Sequence, residues 1–306
     1  MKEEQRQAVL KTVYKFGHFL DNLVVVGAIF IALIGLYALW DSKQVYTGAS
    51  SQQYEIYKPS DKESIGFNEL QDINPDVIAW ITEYGTGIDY PVVQGKDNFE
   101  YLNKNSKGKY SLAGSIFMDY RNHSDFSDSV SILYGHHMSY DAMFGDIDKF
   151  ASDGYLESHK YGNLFYNGKT YGLENFAYIE TTAYDGSVYR IDVNSLTLVG
   201  YKDSLMQKSL HSIPIELNEN DRLVLLSTCA SGYTDARQIL VARITDTVQE
   251  NTFPNTNLKT GVPDFDFTNT GEWHQIPIFV CIVFLVLLIL AIMMTELRRR
   301  RKKQID

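Results

Sequence analysis

The sequence predicts an α+β, mostly β domain of closed, barrel-like build, held between two membrane-crossing segments. Three observations predict it. About eight short apolar or alternating runs, each bounded by turn residues, fall within roughly 180 residues with only a few helical stretches among them. Two uncharged apolar segments, residues 23–40 and 276–294, stand at either side of that region. Hydrophobic residues make up 44% and charged residues 22%, so the part between them has the composition of a globular domain rather than a disordered tether. On strand pattern alone a sandwich fits as well as a barrel.

The two apolar segments hold 18 and 19 residues, close to the roughly 20 a helix needs to cross a hydrocarbon core. Lys2, Arg6, Lys11 and Lys15 precede the first, and Arg298 to Lys303 supply six basic residues after the second. Basic flanks stay in the cytoplasm, which puts both termini inside and the middle of the chain outside the cell. The first segment is longer than the 7–15 residues of a signal-peptide core, and Leu39-Trp40-Asp41 is a poor cleavage site, so an uncleaved anchor is expected. The predicted organisation is a cytoplasmic start (1–22), a membrane helix (23–40), a linker (41–64), a globular domain (65–250), a second linker (251–275), a second membrane helix (276–294) and a basic cytoplasmic tail (295–306). The net charge of −10 is uneven: residues 1–22 carry +1 and 295–306 carry +4, leaving −15 for the rest. An acidic outer domain excludes nucleic acid as a partner, disfavours polyanionic wall polymers and suits amine-bearing ones.

Within the domain, Phe67, Leu70 and Ile73 have helical spacing, and Asn74-Pro75-Asp76 reads as a break or a new helix start. Residues 77–81 and 88–93 read as strands joined by the Gly85-Thr86-Gly87 turn. Asp97-Asn98 caps a short helix through Leu102, residues 114–118 form a third strand, and 129–134 a fourth that ends at Gly135-His136-His137. A helix is expected over 143–150, with Met143, Ile147 and Phe150 on one face. Asn167-Gly168 is the strongest hairpin signal, followed by strand-like alternation to about residue 191. A helix over 203–211 leads to the last pair of strands, 223–229 and 237–244.

That last pair carries the chemistry. Leu223 to Leu226 is an apolar run that ends on Ser227-Thr228-Cys229, and Arg237 opens the next run. The other cysteine, Cys281, lies in the second apolar segment, so Cys229 has no disulfide partner in its own domain. An unpaired thiol in an oxidising compartment is either a small buried side chain or a used one. A free thiol ionises near 8.5, so a nucleophilic cysteine needs an imidazole to take its proton and later return it to a leaving amine. His136, at the end of an apolar strand, is the candidate; His18 and His274 flank the membrane, and His123, His159 and His211 lie in polar surroundings. Arg237 is the candidate donor to the oxyanion of acyl transfer, with Arg243 a poorer one because it is farther from the thiol. Ser227 and Thr228 are candidates for orienting substrate, or simply fit a strand. No cofactor and no metal are expected: no ligand spacing is convincing, and His136 and His137, adjacent on a strand, point to opposite faces. A catalytically silent binding domain and a hydrolytic thiol protease are the competing functions.

Taken together, Tyr134-Gly135-His136, Ser227-Thr228-Cys229 and Asp235-Ala236-Arg237 resemble the signatures of the sortase family. Asn74 to Trp80, Ile88 to Gln94 and Gly114 to Asp119 resemble its barrel strands, and His137-Met138, Met143-Phe144 and Lys149-Phe150 resemble class B most closely; the likeness spans about residues 65–247. The resemblance implies a closed eight-stranded sortase-type β-barrel and a membrane-anchored cysteine transpeptidase of Gram-positive bacteria. Cys229 would attack the Thr carbonyl of a C-terminal sorting motif of the Leu-Pro-x-Thr-Gly or Asn-Pro-x-Thr-x kind. His136 would act as acid and base, and Arg237 would stabilise the oxyanion or hold the substrate. The partners implied are surface proteins or pilins bearing that signal, with a peptidoglycan precursor or a pilin lysine as amine acceptor. A C-terminal membrane segment is more typical of pilus-polymerising class C enzymes, but the Asp-Pro-aromatic lid of that class does not precede the barrel; a pilus-associated class B enzyme reconciles the two.

Overall fold

The computed structural model of the chain describes residues 3–60, 65–229 and 235–253. The segment 276–294 expected to form a second membrane helix, and most of the linker before it, lie outside the described residues. Two compact units separate, one containing residues 1–44 and the other Val45–Pro263.

The N-terminal helix α1 (Glu3–Ala49) contains a window of 18 residues with mean hydropathy 2.6, long and apolar enough to cross a membrane. Most of its large apolar side chains are exposed, Val26, Phe30, Leu33, Leu36 and Trp40 among them. A helix that is apolar on every face needs an apolar surrounding, which lipid supplies. The helix runs past residue 40, so the stretch after the apolar segment is the end of α1 followed by a 3₁₀ turn (Ser51–Tyr57). Ser50 caps that turn by accepting from the Gln52 amide.

The second unit opens with α2 (Ile65–Ile73), buried through Phe67 and Leu70. Asn74-Pro75-Asp76 does not restart a helix. Asn74 instead donates its side-chain amide to the Tyr101 hydroxyl and the Ser106 carbonyl, and the chain enters β1 (Val77–Glu83). The remaining strands are β2 (Asp89–Val93), β3 (Ile116–Met118), β4 (Val130–Gly135), β5 (Tyr161–Tyr166), β6 (Lys169–Thr182), β7 (Ser209–Ser212), β8 (Arg222–Cys229) and β9 (Ala236–Thr245). They hydrogen-bond in the order β5-β1-β2-β3-β4-β8-β9-β6-β7, and β5 also pairs with β6. The β5–β6 pairing closes eight strands into a barrel, with β7 attached to β6 alone. The fold is the one expected of the sequence pattern; the sandwich alternative is excluded by that closure.

The pairings explain the sequence pattern. β4 and β8 run parallel, and β8 is flanked on its other side by β9. Val224 and Leu226 face the barrel interior, while Leu223 and Leu225 face a second apolar cluster outside it. That outer cluster lies under α4 (Leu198–Lys208), through Leu198, Tyr201 and Leu205. A strand covered on both faces reads as an unbroken apolar run, which is what residues 223–226 show. Asn167 and Gly168 both take positive φ, 50° and 72°, as the two-residue turn between β5 and β6 requires.

Two expected helices are redrawn. Residues 143–150 form a 3₁₀ segment (Gly145–Ala151), entered through left-handed residues Tyr140, Asp141 and Met143. The helix before the last strands is α4, which ends at Lys208, and His211 lies in β7.

One buried group sets a testable pH dependence. Glu83 is 1% exposed, and among the described residues its carboxylate accepts one hydrogen bond, from Asn175 Nδ2 to Oε2, 2.8 Å. Glu83 Oε1 and Asn175 Oδ1 are both buried without a partner among those residues. Burial pushes the Glu83 carboxyl up from its ordinary 4.5 to about 7, against a smaller lowering by Asn175. Between those two values the folded chain holds a proton that the unfolded chain has lost, so stability falls as pH rises through that window. The full shift corresponds to roughly 3 kcal/mol. Glu83→Gln is therefore expected to flatten the loss of stability between pH 5 and pH 8 and to raise the unfolding midpoint at pH 8. Urea unfolding of both proteins at the two pH values measures it; an unchanged slope in the variant would refute the assignment.

Candidate active site

The site is built by the ends of three neighbouring strands. β4 and β8 are in parallel register, with Tyr134 opposite Ser227 and Gly135 opposite Thr228. His136 follows directly after β4, and Cys229 is the last residue of β8. In the antiparallel register of β8 and β9, Cys229 stands directly opposite Arg237. Positions 136, 229 and 237 thus form one row across adjacent strands, which lie about 4.8 Å apart. Side-chain alternation puts all three positions on one face of the sheet, the face that carries Ile132, Leu225 and Ile239 against the outer apolar cluster. Ninety-three residues of sequence separate His136 from Cys229, and the parallel pairing removes that separation. Cys229 is described by its backbone place in β8.

His136 is half-buried, and its Nε2 lies 2.9 Å from the Leu102 carbonyl oxygen. Its own carbonyl accepts from the Phe144 amide, 3.1 Å away. His137, the other member of the pair, is tied to Asp148 through Nε2 at 3.0 Å, so the two imidazoles have different partners, as alternation on a strand requires. Arg237 is half-buried and donates Nη1 to the Ala236 carbonyl, 2.9 Å. Arg243 is not at this end: its guanidinium pairs with Glu174 and also donates to the Glu216 carbonyl.

Ser227 and Thr228 are 1% and 2% exposed. The Ser227 hydroxyl is 2.8 Å from the Tyr189 hydroxyl, and the Tyr189 ring lies over Tyr134 with centroids 6.3 Å apart. Thr228 Oγ1 is buried without a hydrogen-bond partner among the described residues. Below the row sits Asp119, fully buried. It accepts from Arg121 through both Nε and Nη2 at 2.8 Å, from Asn98 at 3.0 Å and from the Tyr134 hydroxyl at 3.1 Å. Burial alone would raise the Asp119 carboxyl, but the Arg121 fork and the Asn98 amide hold it below the usual carboxylate range. The Tyr134 hydroxyl is pushed up, by burial first and by the Asp119 charge second. Tyr189 and the Leu102 carbonyl were not legible as parts of the site. Tyr189 lies in a stretch that reads as plain alternation, and a main-chain carbonyl has no side-chain signature.

By strand register, positions 136 and 237 stand on either side of position 229 at the end of a closed barrel. No family model matches the chain. Sortase B of Listeria monocytogenes is 32% identical over 209 residues, covering 67% of this chain and 82% of the relative. The crystal structure of sortase B from the type II pilus of Streptococcus pneumoniae is 43% identical, covers 59% of this chain and 99% of its own, and superposes with a TM-score of 0.52. A class B sortase of Streptococcus pyogenes involved in pilus biogenesis is 37% identical over 59% of this chain and 98% of its own, with a TM-score of 0.53. The chain belongs to the class B sortases, a family of cysteine transpeptidases.

Proposed function

We propose that this chain is a membrane-anchored transpeptidase that cuts a C-terminal sorting motif after its Thr and joins the Thr carbonyl to an amine outside the cell. The row of positions 136, 229 and 237 at one barrel end carries this reading. Cys229, as the thiolate, adds to the Thr carbonyl. Arg237 donates to the oxyanion as the carbonyl carbon becomes tetrahedral. His136 gives a proton to the leaving amine as the C–N bond breaks, which leaves a thioester on Cys229. An entering amine then loses a proton to His136 and takes the acyl group as the S–C bond breaks, restoring the thiolate beside a protonated His136. Ser227 and Thr228, buried beside the thiol position, hold the strand end and its Tyr189 contact in place for the bound peptide.

The substrates are surface proteins or pilins that bear the signal, and the acceptor is a peptidoglycan precursor or a pilin lysine. The pilus origin of two structural relatives and the −15 charge of the middle of the chain, which attracts amines, support an amine-bearing acceptor. The exposed apolar face of α1 supports anchoring, with the segment 276–294 as a second span and the barrel on the outer side.

Transfer and hydrolysis differ in what resolves the thioester. Incubating the chain with a sorting-motif peptide and rising concentrations of an amine such as triglycine is expected to divert product from the hydrolysed to the ligated peptide. Mass spectrometry reads the ratio. A ratio indifferent to every amine offered would leave a thiol protease in place of a transferase.

A further inference from the structure

We propose that Gly114 and the Leu102 carbonyl fix the tautomer of His136, so that Nδ1 is the nitrogen that moves the proton. The proposal deepens the transpeptidase reading and rests on His136 being its acid and base. A carbonyl oxygen only accepts, so a 2.9 Å contact from Nε2 to Leu102 O requires the hydrogen to sit on Nε2. Nδ1 then carries the lone pair, and among the described residues it makes no hydrogen bond.

The carbonyl is held in place by its surroundings. Leu102 closes a 3₁₀ turn (Glu100–Leu102) with its amide on the Phe99 carbonyl, and the preceding Tyr101 carbonyl accepts from the Ser115 amide. Gly114 fills the angle between this turn and the imidazole. Its φ is +61°, a conformation that favours glycine. A Cβ at this position would lie 2.7 Å from the Leu102 oxygen, 2.8 Å from the Tyr101 oxygen and 3.1 Å from His136 Cδ2. Any side chain at 114 would therefore displace both the carbonyl and the ring edge that meets it. The backbone of His136 is clamped separately, by the Phe144 amide on its carbonyl and by the Phe144 ring against Gly135, where a Cβ would come within 2.7 Å.

The imidazole is thus set by a main-chain acceptor, where many triads use a carboxylate or amide side chain for the same purpose. In the reaction, Nδ1 takes the thiol proton, delivers it to the leaving amine as the C–N bond breaks, and collects a proton from the entering amine as the S–C bond breaks. Nε2 keeps its proton throughout and donates it to the Leu102 carbonyl. Gly114 is a positioning residue: it touches no substrate and acts through His136.

The test is nitrogen NMR of the full chain in detergent micelles with ring-labelled histidine, His136 being assigned by its loss in His136→Ala. A neutral ring protonated at Nε2 and bare at Nδ1 is expected, and the opposite tautomer in the active parent would overturn the proposal. In Gly114→Ala the two tautomers should mix and kcat should fall by about 10²-fold with KM little changed, the signature of a misplaced catalytic group. Parent-like tautomer and kcat in that variant would also overturn it. Gly114→Asn, which tolerates positive φ but adds the Cβ, gives the same comparison if the alanine variant fails to fold. Should His136→Ala keep its acyl-transfer rate, the transpeptidase mechanism itself falls; a wrong tautomer in an active parent removes only the role given to Leu102 and Gly114.

Discussion

Cys229→Ala is expected to form no acyl-enzyme and to lose roughly 10⁴-fold or more in peptide turnover, the scale seen when a covalent nucleophile is removed. The sulfur is the atom that bonds to the Thr carbonyl, and neither His136 nor Arg237 can replace it. The substitution sits at the last position of β8, opposite Arg237 on β9, and the two pairings that hold this strand end use backbone groups that alanine keeps. Folding should therefore survive, with far-UV circular dichroism and unfolding midpoint close to those of the parent. Intact-mass spectrometry after incubation with a sorting-motif peptide checks the chemistry: the parent gains the mass of the acyl fragment and the variant gains nothing. Turnover retained in a folded variant would eliminate thiol catalysis.

Arg237→Ala is expected to lower kcat by about 10²–10³-fold, the loss that follows removal of one donor to an oxyanion. Position 237 stands opposite the thiol position in register, and Thr181 of β6 supports it from the other side. A donor that engages only the tetrahedral oxygen changes kcat and leaves KM nearly constant, whereas one that holds the ground-state peptide raises KM. Arg237→Lys separates charge from shape, since an ammonium keeps the charge but not the planar fork. Partial recovery in the lysine variant assigns the effect to charge, and none assigns it to geometry. A kcat within an order of magnitude of the parent in Arg237→Ala would remove the arginine from the mechanism.

The parts of this protein that were legible in its sequence are those where one residue type answers one physical demand. Asn167-Gly168 announced its hairpin because two successive positive φ values admit few residues. Leu223 to Leu226 announced a strand covered on both faces. Thr228-Cys229 and Gly135-His136 were legible as strand ends, but the parallel pairing of β4 and β8 that brings those ends to one side of the barrel was not. Where several demands compete, the pattern misleads. Met143, Ile147 and Phe150 have α-helical spacing, yet left-handed residues at 140, 141 and 143 deliver the chain into a tighter 3₁₀ path, and Asp146 is drawn inward to accept from the Gly87 amide. α4 starts five residues before the expected position because Leu198 and Tyr201 cover the outer faces of β8 and β9. The acceptor for His136 was illegible in principle, since Leu102 contributes its main chain.

The closed ring has a consequence for how an extended polypeptide can be recognised. Among the described residues each of the eight barrel strands has a partner on both sides, and only the four residues of β7 hang from a single partner. A linear chain arriving at this protein finds no long unpaired rim along which to add itself as another strand, the usual means of gripping any sequence through its backbone. Discrimination must then come from the shapes and charges of side chains around the barrel end. The same closure keeps neighbouring copies from zipping to one another through their sheets.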